Sequence, residues 1–506
     1  MKILKYTAFL LGLTFVATAC SRDEPTVENP TTTPKAPNDF VWKAMNSWYY
    51  WQKQVPLLGD NYFKNQTEYA NFINGKTPDK LFYGLLYNYG TTDKFSWIEN
   101  DGTLVAHTAK IAEVEKISGV DYTLFPKDNG GVNFVALVNY VVPNSPADQA
   151  GLKRGDVITH VNGALLTNSN ADALFSESYA VTVAESVSVT TSGVVTSGVR
   201  LQAQIHQASM DENPIAFYKK YTLGGKNIGY LVLNAFKSDY NDELNAIFGQ
   251  MKNDQISELV LDLRYNGGGS LDTALALAQM LTGSYTGQPY IYMDWNDKHN
   301  DWDSFEYLSS KVNIYNLVDN YPKFQHQEEI NSLHLSRLHV LTFIGTASAS
   351  ELTIDALSQY IPVQTIGYTT YGKFVGSISL WDSPGDNYLS RDNRSTEHQW
   401  MLQPITFAYY NKNKLPHPAS GGITPTMPTN PYSMLGNIKE FGNTSDPDLK
   451  LALETISGVA ITGKSASTSF VPGNPKQIKD KRTLNQLATK LNIDDGKRFA
   501  AKFGKP

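Results

Sequence analysis

From Asp39 onward the apolar residues fall on one side of a helical period. Phe40, Val41, Met45, Trp48, Tyr49 and Trp51 set it, and Tyr69, Phe72, Leu81, Leu85 and Leu86 continue it. Apolar side chains three and four apart share a helix face, so the spacing predicts a small helical unit ending near Asn100. From about 104 to 208 the pattern turns strand-like, as at 134–138 and 187–190. Residues 209–462 then alternate. Strand 229–233 leads to a helix near 241–252, strand 258–263 through glycines to helix 271–281, and strand 338–344 to helix 348–360, with a strand over 363–368 after it. Repeated strand–helix–strand units predict a layered block of helices and sheet. Residues 284–335 show no clear period and read as a flap or surface decoration. The tail from Gly463 is polar and Lys-rich, with a helical stretch at 483–491 and no function assigned to it.

The first twenty residues follow another logic. Lys2 and Lys5 precede an apolar run over 8–19 that ends in the small residues Ala17, Thr18 and Ala19. A basic start, an apolar stretch too short to span a bilayer and a small-residue end make a signal peptide. Cys20, the single cysteine of the chain, follows directly. The arrangement resembles the lipobox of bacterial lipoproteins, with Ala17 where a leucine-like residue is usual, and implies lipidation of Cys20. Ser21-Arg22-Asp23-Glu24 resembles the surface-export signal of Bacteroidetes lipoproteins and reads equally as a solvated tether. Residues 25–38 are a Pro/Thr-rich spacer. The expected organisation is signal peptide 1–19, lipidated cysteine and linker 20–38, helical unit 39–103, β domain 104–208, α/β block 209–462 and basic tail 463–506. The expected location is the cell envelope, on a lipid anchor in the outer membrane, facing the periplasm or the surface.

Composition narrows the function classes. With 41% hydrophobic and 18% charged residues and a net charge of −6, the chain lacks the basic excess that nucleic-acid binding requires. One cysteine leaves no intrachain disulfide. Nine scattered histidines, with no His-Glu-x-x-His pair, give no reason to expect a metal or other cofactor.

A first motif lies at Ser145-Pro146-Ala147, Ala150-Gly151-Leu152, Gly155-Asp156 and Val161-Asn162-Gly163. It predicts a turn, a short helix stopped by Gly151 and an Asn-Gly hairpin. The string resembles the PDZ domains of bacterial periplasmic proteases. Such domains add a peptide as a strand to a sheet edge and hold its terminal carboxylate in backbone N–H groups. The resemblance places that turn at Ser118, Gly119, Val120, Asp121 and Tyr122, with Asp121 an unexpected charge beside an anion site.

Two further turns sit between a strand and a helix. One is Leu261-Asp262-Leu263-Arg264-Tyr265-Asn266-Gly267-Gly268-Gly269; its glycines let backbone N–H groups approach another group closely. The absence of a following Gly-Lys-Ser/Thr excludes a phosphate loop. The other is Gly345-Thr346-Ala347-Ser348-Ala349-Ser350-Glu351. Ser348 with Glu351 forms a capping box, and a well-capped helix explains both residues without chemistry. A nucleophile at a helix start also has N–H donors and a positive dipole end beside it. No Gly-x-Ser-x-Gly elbow or paired histidine supplies a base, which leaves a lysine neutralised by burial. Lys373, in the loop after strand 363–368, returns to the same sheet edge as Ser348 if the unit is strand–helix–strand.

Together DLRYNGGG, GTASASE and GYTTYGK resemble the carboxy-terminal processing (tail-specific) protease family, over most of residues 104–430 and in the family's order. The 25 positions between Ser348 and Lys373 match that family's spacing. The resemblance implies a multidomain α+β protein: a small N-terminal helical unit, a PDZ β domain, and a protease core resembling the crotonase/ClpP spiral of ββα units. It implies Ser348 rather than Ser350 as nucleophile, Lys373 as base, and an oxyanion hole of backbone N–H groups from Ala349, Gly267, Gly268 and Gly269. It implies polypeptide substrates, or their C-terminal tails, as partners. The sequence departs from the family at Ser377, where a lysine-orienting glutamine is common, and at Gln359, where an aspartate is common. The alternative is a catalytically inactive, PDZ-containing lipoprotein that binds peptides. Oligomeric state is not readable from the sequence.

Overall fold

The computed structural model describes residues 33–100, 116–318, 321–418, 421–462, 473–478, 491–493 and 500–502. Cys20, the signal segment and most of the predicted helix at 483–491 lie outside them. Among the described residues no helix is long and apolar enough to cross a membrane.

The N-terminal unit is helical. Ala36–Trp48 starts three residues before the predicted point, because Pro37 suits the first helical turn and Asn38 Nδ2 donates to the Lys76 carbonyl (2.8 Å). Gln66–Asn74 and Pro78–Gly84 complete it. Its apolar stripe, including Phe40, Met45, Trp48, Tyr49, Leu81 and Leu85, is buried in one cluster with the α/β core. The unit is therefore a wall of the core and not a separate bead.

The PDZ domain is a sheet in the order Leu201–His206, Ser178–Val183, Val157–Val161, Phe134–Val141, Val120–Pro126. Ser145 Oγ caps its short helix by accepting from Asp148 N (3.2 Å). Asn162 and Gly163 both take positive φ, 49° and 78°, as the Asn-Gly hairpin requires. Gly155 is held at φ +89° against the Ile438 carbonyl, where a Cβ would lie 2.2 Å from the oxygen. This turn is where the domain seats on the core.

The core has two six-stranded sheets. The first runs Ile215–Leu223, Lys226–Leu233, Glu258–Asp262, Leu338–Thr342, Val363–Gly367, Met427–Pro428, and is parallel from its second strand onward. Asn241–Asn253, Leu271–Thr282 and Ala349–Leu357 are the connecting helices, close to the predicted spans. The second sheet runs Gly269–Ser270, Leu491–Ile493, Val375–Ile378, Ile405–Asn411, Pro289–Trp295, Ser304–Tyr307.

Residues 284–335 correct the expectation of an irregular insertion. They form two strands of that second sheet and a hairpin, Lys311–Val318 with Tyr321–Glu329. Their alternation is masked because aromatic residues lie on both faces, as with Tyr292 against Phe305 outside and Trp295 against Trp302 inside.

PDZ domain and core are joined by a buried ionic network. Arg264 is fully buried and bonds Asp262 (2.7 Å) and both Asp446 oxygens (2.8 and 3.0 Å). Arg154, from the PDZ turn before Gly155, bonds the same Asp446 (3.0 Å) and the Asn139 carbonyl (2.8 Å). Removing one partner leaves buried charge uncompensated. Arg264→Met is thus expected to destabilise the protein by about 3–5 kcal/mol, read as a lower urea midpoint, while the exposed Lys53→Ala leaves the midpoint unchanged.

Candidate active site

The two predicted turns meet through Asn266. Its backbone carbonyl accepts from Ala347 N (3.1 Å) and Ser350 Oγ (3.0 Å), so the glycine turn and the serine turn are bonded directly. Its side chain holds the glycine turn from within, donating to the Leu233 carbonyl and accepting from Gly268 N, both at 2.8 Å. Gly269, at φ +145°, passes so close to the Phe236 carbonyl that a Cβ would lie 2.0 Å away. One expectation needs correction: the Gly268 N–H is spent on Asn266 and does not face an oxyanion. Ala349 opens the serine helix, and Gly267 and Gly269 flank Gly268 in the glycine turn.

Ser348 begins the helix Ala349–Leu357 with φ 60° and ψ −114°, a conformation that a side chain normally avoids. Its Oγ is buried and has no hydrogen-bond partner among the described residues. The backbone is held instead, since Ser348 N donates to Glu351 Oε2 (2.9 Å). The predicted capping box between Ser348 and Glu351 is present; its firm half is the Glu351 carboxylate on the Ser348 backbone, and the hydroxyl makes no side-chain cap hydrogen bond.

Glu351 does more than cap. Its Oε2 also accepts from Lys373 N (2.8 Å), and its Oε1 accepts from Gly372 N (2.7 Å) and Thr370 Oγ1 (2.5 Å). One buried carboxylate thus ties the serine turn to the lysine loop, and burial pushes its pKa up. Tyr409 Oη makes a second tie, lying 3.1 Å from the Ser348 carbonyl and 3.2 Å from that of Lys373. Gly372 is held at φ +90° with a virtual Cβ 1.9 Å from the Gly421 carbonyl, so no larger residue fits before the lysine.

Lys373 is 1% exposed. Burial drives its pKa down from 10.5 to about 7, against the charges of Asp93 and Glu351, which favour the ammonium. Asp93 and Phe95 belong to the N-terminal unit, and Nζ lies 5.1 Å from the Phe95 ring centre. Asp93 is itself fixed by Tyr49 Oη (2.7 Å), Phe95 N (3.0 Å) and Ser96 N (2.9 Å). Sequence reasoning missed Asp93 and Phe95, since nothing in their spacing links them to a lysine 280 positions away. The expected lysine-orienting residue, Ser377, is buried, but its hydroxyl accepts from Gln403 Nε2 (2.9 Å). Gln359 bonds Ser358 and Asn413 on the exposed end of its helix.

Three family models match the chain. They are Peptidase family S41 over residues 227–429, the Peptidase S41 N-terminal domain over 36–97, and a PDZ domain over 137–174. The chain belongs to peptidase family S41. It is a serine protease of that family. Among curated relatives, a probable CtpA-like serine protease of Staphylococcus aureus strain N315 is 25% identical over 440 residues, covering 84% of this chain and 79% of its own. A protein of the same description from Staphylococcus saprophyticus is 25% identical over 385 residues, 69% of each chain. Among solved structures, a putative S41 protease from Bacteroides fragilis NCTC 9343 shares the fold, with a TM-score of 0.62 at 24% identity, covering 83% of this chain and 97% of its own.

In this S41 chain the residues proposed for PDZ peptide binding take distinct places. The Ser118 and Gly119 carbonyls accept from Ala147 N (3.0 Å) and Val142 N (2.8 Å), anchoring the turn on the PDZ helix. Asp121 is buried, and its carboxylate accepts from Asn139 Nδ2 (2.5 Å). Val120 and Tyr122 lie on the strand that follows.

Two predictions arise. Glu351→Gln replaces one oxygen by an amide that faces two donors, each worth about 1–3 kcal/mol when left unpaired. It should lower the melting temperature and peptidase activity together, while Glu351→Asp restores part of both. The second concerns Lys373, whose folded pKa is depressed. The folded state therefore binds fewer protons than the unfolded chain between about 7 and 10.5, and stability falls as pH drops through that window. Lys373→Met removes this penalty: its melting temperature should exceed wild type by several degrees at pH 7, a gain that vanishes near pH 10.5.

Proposed function

We propose that this protein is an endopeptidase using a Ser348–Lys373 dyad on polypeptides of the cell envelope. The observation that carries the reading is the fully buried Lys373, with its pKa brought to about 7, on a loop bonded through Glu351 to a serine with an unengaged hydroxyl.

Neutral Lys373 Nζ takes the proton from Ser348 Oγ as that oxygen attacks a peptide carbonyl carbon. The carbonyl oxygen becomes an anion in the tetrahedral intermediate, facing the N–H groups of Ala349 and the glycine turn at the positive end of the serine helix. As the C–N bond breaks, the lysine ammonium returns its proton to the leaving amine, giving an acyl-enzyme and a free amino terminus. Water then attacks the ester, with Lys373 as base again, and releases the carboxylate and Ser348. The PDZ domain presents substrate tails by strand addition. Lipidation at Cys20 holds the enzyme at the outer membrane, a reading supported by the basic, apolar and small-residue order of residues 2–20.

The test is cleavage of an unstructured protein, followed by mass spectrometry. Wild type should cleave, and both Ser348→Ala and Lys373→Ala should lose at least about a thousandfold in rate. The wild-type kcat/KM should rise with pH to a plateau, with a midpoint near 7, because only the neutral amine accepts the proton. Full activity in Lys373→Ala rules out the dyad. Peptide binding without cleavage by wild type identifies the inactive peptide-binding alternative.

A further inference from the structure

The strand Leu491–Ile493 comes from the tail, yet it lies inside the second core sheet. It runs parallel to both neighbours: Gly269 pairs with Leu491, while Ser377 and Ile378 pair with Asn492 and Ile493. Those neighbours are the strand that leaves the glycine turn and the strand that follows Lys373. An extended polypeptide that adds as a strand to either neighbour pairs with these same main-chain groups. The tail is held there by Ile493 and Ala500, both buried in the core, and by Lys502 Nζ on the buried carboxylate of Glu306 (2.9 Å).

A second strand of the tail makes the equivalent contact on the PDZ domain. Lys476–Ile478 runs antiparallel to Val120–Pro126 at the sheet edge, with Lys476 opposite Leu124, Gln477 opposite Thr123 and Ile478 opposite Tyr122. The direction carries the tail towards the Ser118–Gly119 turn, as a peptide enters a PDZ groove with its carboxy-terminal end leading. Just upstream, Tyr432 Oη donates to the Gly473 carbonyl (3.0 Å) and Tyr368 Oη to Asn474 Oδ1 (2.8 Å). Tyr368 stands on the loop that leads to Lys373, so this part of the tail touches the PDZ edge and the catalytic loop together. Consistent with a covered site, Ser348 is 0% and Lys373 1% exposed.

We propose that the C-terminal tail is a tethered peptide ligand of its own protein: Lys476–Ile478 fills the PDZ peptide edge, Leu491–Ile493 fills the gap beside the glycine turn, and an incoming polypeptide tail must displace both. The second half rests on the peptidase reading of that gap; the PDZ half does not. Tethering keeps the effective concentration of a short, weak strand high. A substrate that must compete with it binds with an apparent affinity reduced by the open fraction.

The test uses the full chain. The double variant Gln477→Pro, Ile478→Pro removes whichever backbone donor faces the PDZ edge, and Asn492→Pro breaks a strand bonded on both sides. First, in a Ser348→Ala background, a fluorescent peptide of residues 473–482 is titrated and followed by anisotropy. The double variant should bind it at least about tenfold more tightly than its parent; equal affinity overturns the proposal for the PDZ edge, whether or not the protein is a protease. Second, with Ser348 intact, each variant should cleave an unstructured substrate about tenfold or more faster than wild type, and the 473–493 peptide added in trans should slow it again. An unchanged or lower rate in the double variant, whose substitutions lie outside the core, overturns tail occlusion; absence of cleavage in every variant and in wild type overturns the peptidase reading and, with it, that half alone.

Discussion

The arrangement of the site depends on one buried carboxylate. Glu351 accepts four hydrogen bonds, two of them from the backbone N–H groups of Ser348 and Lys373 on the same oxygen. A carboxylate out of water is costly unless its lone pairs are filled, so the serine turn and the lysine loop are each held at the position that fills them. The strained φ of Ser348 and the left-handed Gly372 are local conditions of the same bargain: both put an N–H where Glu351 needs a donor.

With the backbone fixed by Glu351, the state of the lysine is set by its surroundings. Burial favours the neutral amine, while Asp93 and Glu351 favour the ammonium, and the balance falls near neutrality. Asp93 is held in place by three donors of its own unit, from Tyr49, Phe95 and Ser96. The N-terminal unit is thereby part of the site's electrostatics. It is locked to the core by Tyr50 N on the Ile405 carbonyl (2.8 Å) and Ile405 N on Ser96 Oγ (2.9 Å). A lysine with less burial stays protonated and is no base; one with a bare carboxylate beside it does the same.

The opposite flank is governed by Arg264. It leaves the strand that delivers the glycine turn and shares Asp446 with Arg154 of the PDZ domain. The PDZ domain is consequently fixed relative to the glycine turn. Tyr432 and Tyr368, which hold Gly473 and Asn474, belong to the same contact zone between the two domains.

The sequence by itself determined the order of units, the alternating strands and helices of the core, and the three motifs. These are local properties: side-chain period, turn residues and the spacing of a strand–helix–strand unit that returns Lys373 to the edge of Ser348. The 284–335 strands escaped because aromatic residues on both faces erase the two-residue alternation. The oxyanion assignment of Gly268 escaped because the sequence cannot say where an asparagine side chain two residues earlier will turn. Only the tertiary structure decided which groups surround Lys373, since Asp93 and Phe95 arrive from another domain. It alone decided that two short stretches of the polar, Lys-rich tail pair as strands, Lys476–Ile478 at the PDZ edge and Leu491–Ile493 within the second core sheet. Strand pairing at a distance is specified by the partner's open edge as much as by the strand's own residues, and that edge exists only once the rest of the chain has folded.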